Sequence, residues 1–279
     1  MRCGEGVWKV SLVVLMAVGL AGVAGCNKLR ARDLLNQGVQ AYKLGQFDQA
    51  EEDFKQSAEL DPTLQTARIY LATAYASQFV PGSPAPENLQ KGQQAIAQFK
   101  KVLEQDPKNL SAVDGIGSML FNLGSSPYDP EKLNESKQWH EKHIALKPDD
   151  AQPYYWVGVI DWTLSFRANQ KTRQDYNKDL PRRAKPIQAS DPLPNKLRDQ
   201  FASQNQQTVD EGIQDLQKAI QLRPDYADAM AYLNLLYRQK ADMVATPEER
   251  TSLLKQADDL VDKVKEIKQK EAESPKATS

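Results

Sequence analysis

Five residues in this chain have types and spacings that invite chemistry: Cys26, His140, His143, Ser252 and Lys255. His140 and His143 are the only histidines, three apart, so on a helix both rings share one face and could hold a divalent metal. No third ligand stands at a fixed spacing from them, and Glu141 points off that face, so no metal site is expected. Ser252 and Lys255 have the Ser-x-x-Lys spacing of a nucleophile beside its base. The companion motifs of that chemistry are missing, and the stretch reads as the middle of an amphipathic helix. Gly115 and Gly117 form a Gly-x-Gly without a third glycine or a preceding strand, so nucleotide binding is unsupported. With no Ser/His/Asp set and no clustered carboxylate pair, no reaction and no cofactor is indicated. The chain reads as a non-enzyme.

The elements around these residues follow a helical repeat. From Ala31 to Pro62 the sequence is ARDLLNQGVQAYKLGQFDQAEEDFKQSAELDP. Gly38 and Ala50 offer small faces where two amphipathic helices cross, and Phe54 fills the space beneath them. Gly45 supplies a left-handed turn position without steric strain. Pro62 stops the second helix. Spaced in this way, these residues resemble a tetratricopeptide repeat (TPR). A unit of this kind cannot bury its apolar face alone, so others should follow. Helix-ending prolines recur at Pro107, Pro148 and Pro224, at separations of 45, 41 and 76. The standard period is about 34, and the excess is read as insertions inside the second, third and fourth units. The expected fold is all-α: a TPR-like solenoid of about five helix pairs over residues 31–268, with insertions near 79–88, 124–130 and 167–208. Ser136, Asn234 and Gly212 depart from the repeat pattern. Thr246-Pro247-Glu248-Glu249 is a capping box, and Asp129-Pro130-Glu131 a second helix start.

The chain begins MRCGEGVWKVSLVVLMAVGLAGVAGC. A basic start precedes an apolar run shorter than the roughly 20 residues of a spanning helix. Val23-Ala24-Gly25-Cys26 then resembles the lipobox of bacterial lipoproteins. That resemblance implies a signal peptide over residues 1–25, cleavage before Cys26 and acylation, including palmitate, of its thiol. Cys3 leaves with the signal, so the mature chain keeps one thiol and no internal disulfide. Residues 26–30 are read as a short tether that holds the repeats near the bilayer. Asn27 after the cysteine favours, by analogy with some proteobacterial lipoproteins, the periplasmic face of the outer membrane. Residues 269–279 are read as a disordered tail.

The net charge of −1 excludes a strongly basic nucleic-acid binder. From Arg167 to Arg198, however, nine basic residues face three acidic ones, a local charge of +6 that leaves −7 elsewhere. Pro181, Pro186, Pro192 and Pro194 break any long helix there, so Arg182, Arg183 and Lys185 should be exposed and open to an anionic lipid, polysaccharide or acidic partner.

The TPR resemblance places the first helix of each pair along a groove, on positions that include Tyr42, Phe121, Tyr155, Trp162, Leu235 and Arg238. Leu35 and Val39 replace the lysines and asparagines of the carboxylate-clamp TPR class. A groove lined by Tyr42, Phe121, Tyr155 and Trp162 suits an apolar or aromatic helix or peptide. The expected role is a membrane-anchored scaffold or adaptor lipoprotein that holds an envelope protein or peptide. The alternative is a structural or envelope-ligand-binding lipoprotein acting through the basic insertion.

Overall fold

The computed structural model describes residues 25–273, and within them all regular structure is helical. The helices are α1 (25–43), α2 (Phe47–Leu60), α3 (Gln65–Gln78), α4 (Pro86–Gln105), α5 (Leu110–Ser125), α6 (Pro130–Leu146), α7 (Ala151–Lys178), α8 (Asn195–Leu222), α9 (Ala227–Ala241) and α10 (Pro247–Glu273). They form the five expected pairs. The chain divides into two compact units, Met1–Met119 and Leu120–Ser279, with the boundary inside α5.

In the first unit, Gly45 turns α1 into α2 with φ +74°, a conformation that costs an L side chain about 1–2 kcal/mol. A Cβ on Gly38 would lie 2.6 Å from Phe54 Cε1. The close approach across α1 and α2 is thus between Gly38 and the Phe54 ring, which is wholly buried. The same device recurs between α4 and α5, where a Cβ on Gly115 would lie 2.3 Å from Phe99 Cζ.

The second unit repeats this logic with different residues. A Cβ on Gly158 of α7 would meet Leu216 Cγ of α8 at 2.3 Å. Gly212 also has its reason: a Cβ there would lie 2.8 Å from Asp161 Cβ and 2.9 Å from Leu236 Cδ1. It occupies the narrow place where α8 lies against α7 and α9. Asp129 caps α6 by accepting from the backbone N–H of Glu131 (3.0 Å) and Lys132 (3.2 Å). Thr246 and Glu249 close the expected capping box on α10, Glu249 N–H donating to Thr246 Oγ1 at 3.2 Å.

Five boundaries differ from the sequence reading. The first insertion shrinks to residues 79–85, because α4 begins at Pro86. The second insertion shrinks to residues 126–129, because α5 continues to Ser125. The third shrinks to residues 179–194, because α7 and α8 each run for 28 residues. Residues 26–30 are the opening turns of α1 and not an extended tether. They advance about 1.5 Å per residue, less than half the reach of extended chain. Residues 269–273 belong to α10. The remaining tail and the signal segment up to Ala24 lie outside the described residues. Of the described helices, none is long and apolar enough to cross a membrane.

Candidate binding cleft

The expected groove residues fall in both units. Tyr42, in the first, is half-buried; its ring meets Phe47 edge-on at 5.4 Å and its hydroxyl lies 2.6 Å from Ser77 Oγ. Phe121, Tyr155 and Trp162 belong to the second unit, where one run of rings connects them. Phe121 packs on Trp156 (5.3 Å), Trp156 on Tyr155 (5.3 Å), Tyr155 on Tyr232 (5.8 Å), and Tyr232 on Trp162 (5.2 Å). Trp162 then stacks on Phe166 at 5.0 Å and 18°. All these rings are half-buried, so they support one another and still present an aromatic surface. Burial raises the Tyr155 hydroxyl pKa, aided by the neighbouring Tyr232 and Tyr226. Tyr155 therefore stays neutral.

At the Trp162–Phe166 end the surface opens into a cleft of about 380 Å³. Trp162, Phe166, Leu235 and Leu254 give it an apolar lining, and Arg238 and Arg250 give it cationic edges. One side is Ala189 and Ser190, from the segment that joins α7 to α8. That segment is not a loose loop. Arg173, buried on α7, donates through Nη1 to the carbonyls of Gln188 (2.7 Å) and Asp191 (2.9 Å). Its Nη2 donates at 2.7 Å to Oδ2 of Asp242, the C-cap residue of α9, and its Nε to Asn169 Oδ1 at 2.6 Å. Asn177 adds a reciprocal pair of bonds with the Ile187 backbone, both 2.9 Å, and Leu193 is buried. Arg182, Arg183 and Lys185 stay exposed on the same segment. The wider basic stretch is divided: Arg173 is consumed by structure, and only its central part is irregular.

The α7 face that makes this possible is polar at every turn: Asp161, Ser165, Asn169 and Arg173, four apart, are all buried. Asp161 is wholly covered and receives Lys137 Nζ at 2.9 Å; the same ammonium reaches Glu211 at 2.9 Å. Burial pushes the Asp161 carboxyl up to about 7 against the pull of Lys137, and Asp215 nearby up to about 6 by the same cause. Burial outweighs the ion pair at Asp161 because Lys137 divides its charge between two carboxylates and keeps some solvent.

His140 and His143 are core residues, as their register in the repeat requires. His140 stacks on Trp156 at 5.9 Å and 13°. Burial, then the charge of His143, drives its pKa down to about 4, so it is a neutral ring in the core. Among the described residues no three His, Cys, Asp or Glu side chains are grouped to hold a metal. Ser252 and Lys255 lie on exposed turns of α10, with Lys255 paired to Asp259 at 2.7 Å.

Residues 31–64 match the family model described as tetratricopeptide repeat. The chain has the tetratricopeptide repeat fold. Solved structures that share it include the following three. MamA 41-end from Desulfovibrio magneticus RS-1 is 18% identical with a TM-score of 0.55, covering 86% of this chain and 96% of its own. A MamA RS-1 double mutant is also 18% identical at 0.55, over 87% and 96%. A crystal structure of MamA is 17% identical at 0.54, over 90% and 98%. No curated protein matches the sequence. In this fold stacked helix pairs expose extended side-chain surfaces.

Sequence reasoning reached Trp162, Leu235 and Arg238 because TPR register marks them. It missed Trp156, Phe166, Tyr226 and Tyr232, although Phe166 follows Trp162 by one turn and was available to the same periodicity. Arg173 was counted only as one charge of the basic stretch, and Arg250 gave no signal, since each acts through partners distant in sequence.

Proposed function

We propose that this protein is a membrane-anchored TPR scaffold of the bacterial cell envelope, acylated at Cys26 and held at the periplasmic face of the outer membrane. It holds an envelope protein or peptide on its half-buried aromatic positions. The observation that carries the reading is the run of rings from Phe121 to Phe166, which ends in an open cleft. Trp and Tyr, with Arg, are enriched among interface hot spots, where truncation costs about 2 kcal/mol or more. Cys26 is exposed at the start of α1, accessible to modification. The test is partner recovery from native envelopes by the acylated chain and by its Trp162→Ala and Tyr42→Ala variants, each with helicity checked. Reduced recovery for the variants supports the reading; equal recovery for all three removes these positions from the interface.

The exposed trio Arg182, Arg183 and Lys185 favours a second reading, in which the protein contacts anionic lipid or polysaccharide. Each basic residue near such a surface contributes about 1 kcal/mol. Replacing the three by Gln should weaken salt-sensitive binding to anionic vesicles. An unlipidated chain that shows no such binding before mutation removes this reading for lipid.

A further inference from the structure

Three features of the cleft go beyond a generic TPR surface. The first is its side wall. Ala189 and Ser190 come from residues 179–194, which lie outside the helix pairs, and Arg173 clamps that segment to α9 through Asp242. The clamp turns an open helical face into a sided cleft.

The second is charge. Asp242 is the one carboxylate lining the cleft, and it is already occupied by Arg173 at 2.7 Å and Asn169 Nδ2 at 3.0 Å. Arg238 and Arg250 remain as lining cations. Arg238 Nη2 is held by Asp258 on an exposed side, at 2.6 Å. Arg250 reaches the Ser190 carbonyl at only 3.3 Å and Asp242 at 3.6 Å, and its buried Nε has no hydrogen-bond partner. A partly buried guanidinium with such long contacts has donor capacity left for an added acceptor.

The third is the floor, where the stacked Trp162–Phe166 pair lies beside Leu235 and Leu254. A volume of about 380 Å³ admits one large side chain with its flanking backbone.

We propose that this cleft binds an acidic peptide segment, seating an aromatic side chain on Trp162 and Phe166 and a neighbouring carboxylate on Arg250. The assignment rests on the scaffold reading above and names the chemistry of its partner. Charge complementarity selects the occupant: a basic segment meets two guanidinium groups, and a purely apolar one leaves Arg250 unanswered. Arg173 is a positioning residue, acting through the wall and never touching the peptide.

The probe is a fluorescein-labelled, acetylated and amidated peptide alternating aspartate with phenylalanine, titrated by anisotropy into the full chain in detergent. Two control peptides replace all aspartates by asparagine, or all phenylalanines by alanine. The parent should bind about tenfold more tightly than either control, and Arg250→Gln or Leu254→Glu should each remove about that factor with helicity unchanged. Arg173→Gln should weaken binding and expose residues 179–194 to protease together. The Lys263→Gln, Lys265→Gln, Lys268→Gln triple variant, on an exposed face of α10 outside the cleft lining, should bind as the wild type does. No preference for the parent peptide overturns the proposal. So does a loss in the triple variant as large as in Arg250→Gln, which makes the binding a bulk effect of surface charge. Partner recovery that depends on Trp162 or Tyr42, found without any peptide preference, retains the scaffold and overturns the acidic ligand alone.

Discussion

Arg173 and Asp242, 69 residues apart in sequence, form a buried ion pair at 2.7 Å that ties α7 to α9 and fixes the segment between α7 and α8. Removing one partner of such a pair leaves a charge without compensation. Arg173→Met should therefore cost about 3–5 kcal/mol, and residues 179–194 should become the first site of limited proteolysis. Thermal denaturation and mapping of the first cleavage test both parts. Unchanged stability with an intact segment would show that Asn177 and Leu193 suffice to hold it.

The close approach of Gly38 to Phe54 predicts sensitivity to added volume in the first unit. Gly38→Leu must push the ring away from a contact that already leaves 2.6 Å for a Cβ, at about 1–3 kcal/mol or more. Gly45→Ala acts through backbone alone, because φ is +74° and nothing lies within 4 Å of its Cβ position, and should cost about 1 kcal/mol. Urea denaturation of both variants separates the two mechanisms by size.

Asp161 gives the second unit a defined pH dependence. Its folded pKa, about 7, lies above the ordinary 3.8 because burial opposes ionisation. Between those values the unfolded chain releases a proton that the folded chain retains, so the contribution of this group to stability falls as pH rises from about 4 to about 7. Above that window the loss is complete. Asp215, also raised by burial, acts in the same direction up to about 6. Asp161→Asn should flatten the dependence, leaving the part due to Asp215. The comparison is denaturant unfolding of wild type and variant at pH 5 and pH 8. The variant should lose less stability between the two pH values. An equal loss in both chains would show that Lys137 keeps Asp161 ionised throughout.

Cys26 is expected to be the acylated N-terminus of the mature protein. Several acyl chains anchor stably where one alone is marginal. Cys26→Ser should shift the protein out of the membrane fraction or leave an uncleaved precursor, and intact mass spectrometry of the wild type should show added lipid. A mature wild-type chain without lipid ends this expectation. Because α1 is helical from its first described residues, acylation would hold the first helix close to the bilayer.

The repeat register was legible in the sequence wherever it depends on local chemistry. Gly45 must turn, Pro130 and Pro247 must begin helices, and small residues must stand where helices cross. Those demands are met within a few residues of one another, so a single repeat carries them all. The long helices α7 and α8 were not legible, because the inward face of α7 changes from apolar to polar after Ile160. Asp161, Ser165, Asn169 and Arg173 keep the helical period but satisfy it with hydrogen bonds, and hydrophobic periodicity cannot register such a face. The cleft was legible only in part: Trp162 stood out by type and register, whereas its wall depends on contacts from Arg173 to residues as far away as Asp242. The sequence by itself determined the helix pairs, since pairing is decided by neighbours along the chain. Only the tertiary structure decided which cations are spent on the fold and which line the cleft, because a buried charge takes its role from the partner that folding brings to it.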